Sequence, residues 1–248
     1  MTNFSYQLYS SRKFGPLEAT LEMVSQCGYN QVEAYGGLYE DLDRLERALA
    51  ENSLTMPTGH FDLNLVEKSP AQANEIAKRL GMSTIIVPYL NQEERPGDAK
   101  GWASFSSRLS EVGKPILDAG LAFAWHNHEF EFEALDGNDK PLDFILEDGN
   151  GVSLELDLAW VAVGGQNPAE WVKKYSNRLV SVHIKDIAPN GDCEDEDGWA
   201  DVGYGTMDWT AIMDAVRATN CRYFVMEHDN PSDDLRFAQR SIKAASNF

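Results

Sequence analysis

The chain has 248 residues, with 40 acidic and 21 basic side chains and a formal charge of −19 at pH 7. That charge repels nucleic-acid backbones and anionic lipid heads, so neither is expected as a partner, although a local basic pocket can still take a small phosphorylated molecule. Its 43 % hydrophobic and 25 % charged content is that of a folded globular protein, and no apolar run approaches the roughly 20 residues of a membrane helix. The opening residues MTNFSYQLYS have neither a basic stretch nor an apolar core, so no secretory leader is expected. Cys27, Cys193 and Cys221 are far apart, odd in number and without a CxxC pair. They fit a reducing cytoplasm, not a disulfide framework or a thiolate zinc site.

Short apolar runs alternate with longer amphipathic ones along the whole chain, with no linker between them. Strand-like runs are expected at 6–9, 31–34, 56–60, 84–89, 122–126, 152–157, 179–185 and 223–227. Helical spacing marks 16–27, 42–52, 71–80, 102–119, 168–175, 209–219 and 234–245, with a further helix beginning at 142–147. Gly28, Gly81 and Gly120 stop three of them. Eight strand–helix units of roughly 25–35 residues give a single (β/α)8 TIM barrel domain over 1–248. Several strands are apolar on both faces, as a parallel sheet wrapped in helices requires. A doubly wound open sheet is the alternative, but Ser10-Ser11-Arg12 stands where its GxGxxG phosphate fingerprint belongs.

In such a barrel the active site lies at the carboxyl ends of the strands. Polar side chains collect there: Gln7 and Tyr9, Glu33, His60, Tyr89, His126-Asn127-His128, Asp157, His183 with Lys185, and Glu227-His228-Asp229. Residues two apart share a strand face, so Glu155 pairs with Asp157, His183 with Lys185, and Glu227 with Asp229. Ala122, Ala124, His126 and His128 share one face of the fifth strand, which leaves Phe123 and Trp125 against the helices. Asp157, His183 and Glu227 then converge from adjacent strands. Two carboxylates packed together without a cation repel and pay a large desolvation cost. A divalent metal relieves this, and the mixed nitrogen and oxygen donors suit manganese, zinc, cobalt or iron, whereas the imidazole disfavours magnesium. Glu155, one step deeper, is expected to pair within the barrel. The acidic stretch 192–201 fails as a calcium loop, because placing Gly198 sixth puts Cys193 first and Tyr204 last; it reads as a solvated active-site loop.

The segments WHNHEFEFE (125–133), ELDLAWVAVGG (155–165), VSVHIKD (180–186), VGYGTMDW (202–209) and MEHDNP (226–231) resemble the sugar phosphate isomerase/epimerase family. That family lies within the xylose isomerase-like TIM barrels, beside inosose dehydratases, tagatose epimerases and endonuclease IV. QLYSSR (7–12), GYNQVEAYG (28–36) and TGHFDL (58–63) are similar to its first three strands, so the likeness spans nearly the whole chain. The resemblance implies one divalent metal held by Glu, Asp, His and Glu from the fifth to eighth strands. Asp157, His183 and Glu227 match the last three. Where the family has Glu-Asn-His at the end of the fifth strand, this chain has His126-Asn127-His128. Either His126 is the fourth ligand, or Glu131 reaches back from the next loop, or the site has three protein ligands. Strand parity favours His126. The endonuclease branch needs several metals and a basic stripe, and neither the five histidines nor the charge of −19 suits it.

A metal beside two carboxylates and an imidazole suits isomerisation or epimerisation of a small sugar or keto-sugar, phosphorylated or not, by proton abstraction next to its carbonyl. The same groups serve an inosose dehydratase-like or 3-keto-sugar lyase reaction, and a non-catalytic sugar-binding barrel is the third reading. His128, Lys185 and Glu227 are the catalytic candidates, with His128 as the base. Glu33, His60, Lys185 and Glu131 are expected to contact substrate. A homo-oligomer is left open.

Overall fold

In the computed structural model, which describes residues 3–135, 139–147 and 149–248, the eight apolar runs each supply a barrel strand, and two short strands outside them bring the number among these residues to ten. They are β1 (Phe4–Gln7), β2 (Gln31–Ala34), β3 (Thr55–His60), β4 (Thr84–Val87), β5 (Ala122–His126), β6 (Ser153–Asp157), β7 (Leu179–Ile184), β8 (Asp186–Ile187), β9 (Trp199–Ala200) and β10 (Tyr223–Met226). β1 to β7 and β10 pair in parallel in chain order, and β10 closes the barrel on β1. The small pair β8–β9 is antiparallel and separate from the barrel sheet. Among the described residues ten α-helices cover or connect the strands: α1 (Leu17–Gln26), α2 (Leu42–Glu51), α3 (Leu63–Lys68), α4 (Pro70–Leu80), α5 (Ala99–Asp118), α6 (Pro141–Ile145), α7 (Leu158–Val163), α8 (Pro168–Lys174), α9 (Trp209–Arg217) and α10 (Asp234–Ala245). None among the described residues is long and apolar enough to cross a membrane.

The two-residue period sorts side chains between the inside of the barrel and the helix layer. Trp125 packs edge-on against Phe105 of α5, with ring centroids 5.5 Å apart. Phe123 is seated so closely on α5 that a Cβ at Gly113 would come within 2.6 Å of it. The alternate residues Ala124 and His126 are buried on the inner face, as are Ser5, Thr58, Thr84 and Ser181 in other strands. Small inner residues low in the barrel leave room for the long polar ones nearer its carboxyl end.

Aspartates begin many of the helices. Asp41, Asp62, Asp98, Asp157, Asp208 and Asp233 each accept a hydrogen bond from a backbone N–H of the first turn. These caps oppose the positive end of the helix dipole. Because helix N-termini follow strand C-termini, they also concentrate negative charge on the face that carries the strand-end cluster. The first strand ends at Gln7, not Tyr9: the Gln7 side chain accepts from Tyr9 N at 3.1 Å and turns the chain into a 3-10 helix, Leu8–Ser11.

Candidate active site

The strand ends build two stacked layers. The lower is a floor of two buried carboxylates, Glu33 from β2 and Glu155 from β6. Glu33 Oε1 accepts from Gln7 Nε2 at 2.8 Å and from His183 Nε2 at 2.7 Å, with His60 Nε2 at 3.2 Å. Glu155 Oε2 lies 2.7 Å from His60 Nε2 and 3.2 Å from both His126 Nδ1 and His183 Nε2. The pairing within the barrel expected of Glu155 is thus present, and it engages three imidazoles. Glu33, expected against substrate, instead lies beneath the histidines, because the barrel places it at the level of Gln7. His60 does reach the cavity wall.

Above the floor, one donor atom from each of His126, Asp157, His183 and Glu227 lies within 4.8 Å of the others, all four side chains being buried. Register sets Asp157 opposite His183 across β6–β7, whereas His126 lies opposite Glu155 of the floor across β5–β6 and joins the cage through its side chain. Asn127 fastens two of these strand ends, donating to Asp157 O at 3.2 Å and accepting from Asp157 N at 3.0 Å.

The cage has more acceptors than protons. Carboxylate oxygens face both ring nitrogens of His183, since Nδ1 lies 2.9 Å from Glu227 Oε2. A neutral imidazole has a single N–H, and an ionised carboxylate only accepts. The second face therefore calls for an extra proton or a cation. Asp157 Oδ1 is occupied by the α7 cap, but Oδ2 is buried without a hydrogen-bond partner among the described residues, 3.9 Å from His183 Nδ1 and 3.8 Å from Lys185 Nζ. Such a donor set fits a divalent metal.

Electrostatics follow from burial and from these neighbours. Burial alone would lower the His183 imidazole, but Glu155, Glu227 and Glu33 outweigh it and hold its pKa well above the ordinary 6.5. His60 is opposed by burial in the same way and is held at about 9 by Glu33 and Glu155. Burial raises Asp157 above its usual range. It also opposes ionisation of Glu155 and Glu227, yet His183 holds both well below the carboxylate norm. Lys185 is buried but kept charged by Asp229, Glu227 and Asp157; its Nζ is 2.5 Å from Asp229 Oδ2 and 4.2 Å from the centre of the Trp199 ring. His128 is the exception. Loss of water around its ring, with His126 and Lys185 nearby, pushes its pKa well below 6.5, so the ring is neutral.

Glu131 does not join the site. Its Oε1 accepts from Trp125 Nε1 at 2.9 Å and its Oε2 from His128 N at 2.8 Å, and burial lifts its pKa to about 8. The 3-10 turn Phe130–Phe132 carries it to the Trp125 side of the strand, which is why it neither replaces His126 nor contacts the cavity. In the acidic stretch Asp192, Glu194, Asp195 and Asp197 are exposed, as a solvated loop requires, and Asp197 lines the cavity over the cage, whereas two members are not. Glu196 and Asp201 are buried and paired to Arg236 at 2.8 and 2.9 Å.

Over the cage opens a cavity of about 530 Å³, walled by His60, His126, His128 and Glu227 and rimmed by Tyr9, Tyr89, Asp62, Asp197, Asp229 and Arg12. Arg12 is already engaged, donating to Tyr9 O at 2.9 Å and Asp229 O at 2.6 Å. The Tyr9–Tyr89 rim and the Asn127 clamp carried no assigned role in the sequence. The strand-end position of Tyr9 and Tyr89 was the available signal, whereas the clamp depends on which strands are neighbours.

A model of the xylose isomerase-like TIM barrel matches residues 21–245. An inosose dehydratase from Clostridium botulinum is 25 % identical over 197 residues, covering 71 % of this chain and 65 % of that protein, so the chain spans just under two thirds of this relative's length. A solved sugar phosphate isomerase/epimerase from Parabacteroides distasonis superposes with a TM-score of 0.81 at 20 % identity, covering 98 % of this chain and 94 % of its own. The IOLI protein, solved with a bound zinc atom, superposes with a TM-score of 0.74 at 18 % identity over 99 % of this chain and 97 % of its own. Both share the closed eight-stranded architecture described above. With its family model matched from α1 to α10, the chain belongs to the xylose isomerase-like TIM barrel family.

Proposed function

We propose that this chain is a metal-dependent enzyme that removes a proton next to the carbonyl of an uncharged keto-sugar or keto-cyclitol and eliminates water. The observation that carries the proposal is the buried four-donor cage with surplus acceptors, open to one cavity. His126, Asp157, His183 and Glu227 hold the ion, and their mixed donors suit zinc, manganese, cobalt or iron. A divalent ion bound there supplies a Lewis acid for a carbonyl and its neighbouring hydroxyl. His128 lines the cavity as a neutral imidazole and is the group that takes the proton from carbon. Lys185, charged, steadies the developing oxyanion. His60 gives the departing hydroxyl its proton, so one water leaves for each C–H and C–O bond broken.

Isomerisation and epimerisation start with the same proton loss. An epimerase of the two-base kind needs a free base on each side of the carbon. Here Glu33 and Glu155 are occupied by imidazole N–H groups, Asp157 and Glu227 by the cage, and Asp229 by Lys185. An acid and a base of opposite protonation, His60 and His128, suit elimination better. The relative named inosose dehydratase supports this choice. A non-catalytic sugar-binding barrel presupposes a lost fifth-strand ligand, and His126 supplies a nitrogen at that place. The negative rim disfavours phosphorylated substrates. The free cysteines Cys27, Cys193 and Cys221 suit a cytoplasmic enzyme.

The test is a screen of neutral keto-cyclitols and keto-sugars, each beside its phosphorylated counterpart, in D2O with added manganese. Metal-dependent loss of water from a neutral compound is expected. Deuterium wash-in without elimination would reassign the chain as an isomerase or epimerase, preference for phosphorylated partners would overturn the uncharged substrate, and no exchange with any compound would overturn the enzymatic reading.

A further inference from the structure

The floor beneath the cage settles a question the four donors leave open, namely which nitrogen each imidazole turns upward. A neutral imidazole can give a metal only its unprotonated nitrogen, so ring orientation and tautomer must be fixed before an ion is bound. We infer that Glu155 is the positioning residue of the metal site: it takes the Nδ1–H of His126 and leaves Nε2 of that ring as a lone pair for the cage.

His126 and Glu155 are direct register partners across β5–β6, and Nδ1 lies 3.2 Å from Glu155 Oε2. An ionised carboxylate cannot donate, so the nitrogen it faces carries the hydrogen. His183 is anchored twice, by Glu33 Oε1 at 2.7 Å and by Glu155 Oε2 at 3.2 Å, both on Nε2, which directs Nδ1 towards Asp157 and Glu227. His126 has Glu155 alone as its carboxylate partner among the described residues. The two ligands therefore depend on Glu155 unequally. Glu155 also has one oxygen, Oε1, buried without a hydrogen-bond partner among the described residues, so its hold on the rings runs through Oε2.

This inference rests on the metal site proposed above but not on the reaction proposed there, and its test uses Co2+ binding rather than turnover. Loaded with Co2+ alone, the wild-type protein should bind one equivalent and give two paramagnetically shifted, slowly exchanging imidazole N–H resonances, one each from His126 and His183. Glu155→Gln keeps the side-chain size but offers a single amide oxygen to three imidazoles. It should weaken Co2+ about 10–100-fold, the usual cost of losing such an outer partner. It should abolish the His126 N–H signal and keep that of His183. Glu33→Gln leaves Glu155 beneath both rings and should keep the His126 N–H signal. Should Glu155→Gln fail to fold, the wild-type spectrum still decides, since a missing His126 N–H resonance overturns the assignment. Two equivalents of Co2+ in the wild type and one in Glu155→Gln would make Glu155 a ligand and likewise overturn it. No Co2+ binding at all would overturn the metal site together with this inference. Both resonances present in a protein without turnover would support the inference and overturn only the proposed reaction.

Discussion

Replacing Asp157 separates two tasks that one carboxylate performs. Oδ1 caps α7 by accepting from Ala159 N and Trp160 N, each at 2.9 Å, while Oδ2 faces the cage. Asp157→Asn keeps a carbonyl oxygen for the cap and puts an NH2 group where the cage needs a lone pair. Asp157→Ala removes both. A lost cap costs about 1 kcal/mol, and a chain of this size changes its Tm by about 2–4 °C per kcal/mol. The metal-free alanine variant should therefore melt about 2–4 °C below the asparagine variant. The asparagine variant should be at least as stable as metal-free wild type at neutral pH. Burial raises the carboxyl pKa in the folded chain, so its ionisation weakens the fold as pH rises. Metal reverses that order. An ion at 100 times its Kd adds about 2.7 kcal/mol to the wild type, or roughly 5–10 °C, and both variants should forgo that increment. Calorimetric melting with and without manganese or zinc, with elemental analysis of each variant, measures all of this. A wild-type metal-induced shift in Asp157→Asn would refute the cage.

His128→Asn should retain its metal and its fold while turnover falls by about 10²–10⁴-fold; deuterium wash-in falling in parallel confirms proton abstraction, and an unchanged rate excludes His128 as the base. The metal-free protein should lose stability between about pH 6.5 and 9. His60 is held at about 9 against an ordinary 6.5, and Glu131 at about 8 against 4.5, so each binds its proton more tightly when folded and each loses that advantage as pH rises. Glu155 and Glu227, held low, weaken the fold only on the acid side. A melting series across this range checks the slope, and a flat profile contradicts it.

Much of the barrel was legible because its signals are local and periodic. β2, β5 and α10 begin and end where the pattern places them, since a period of two or 3.6 residues needs only a few turns or pleats to declare itself. The short helices α3 and α7 were missed. Each has six residues, too few for a helical period to stand out, and each starts on an aspartate at or just beyond a strand end, Asp62 or Asp157. The β8–β9 pair has two residues per strand and no period at all. Its position rests instead on Asp186, whose side chain accepts from Gly203 N, Met207 N and Trp209 Nε1, contacts that no local window contains.

For the site, parity carried the inference as far as direction and stopped at depth. It sends His126, Glu155, Asp157 and His183 inward, but it cannot say which of them stand at one level. Level is set by the stagger between strands, and that stagger is a property of closure. The register of β6 on β7 shifts between Leu154 and Glu155, which brings Asp157 level with His183 and leaves Glu155 one layer lower, opposite His126. Glu33 joins the lower layer through its side chain, which meets Gln7 Nε2 and His183 Nε2. A strand-end carboxylate can thus be a ligand or the support beneath one. Asp157 and Glu33 are alike in sequence, each among the last residues of its strand. Each has one oxygen without a hydrogen-bond partner among the described residues, but Asp157 Oδ2 lies on the side of His183 Nδ1 whereas Glu33 Oε1 meets His183 Nε2. The two faces of a single imidazole therefore separate the layers, with Glu33 and Glu155 at Nε2 and Asp157 and Glu227 on the side of Nδ1.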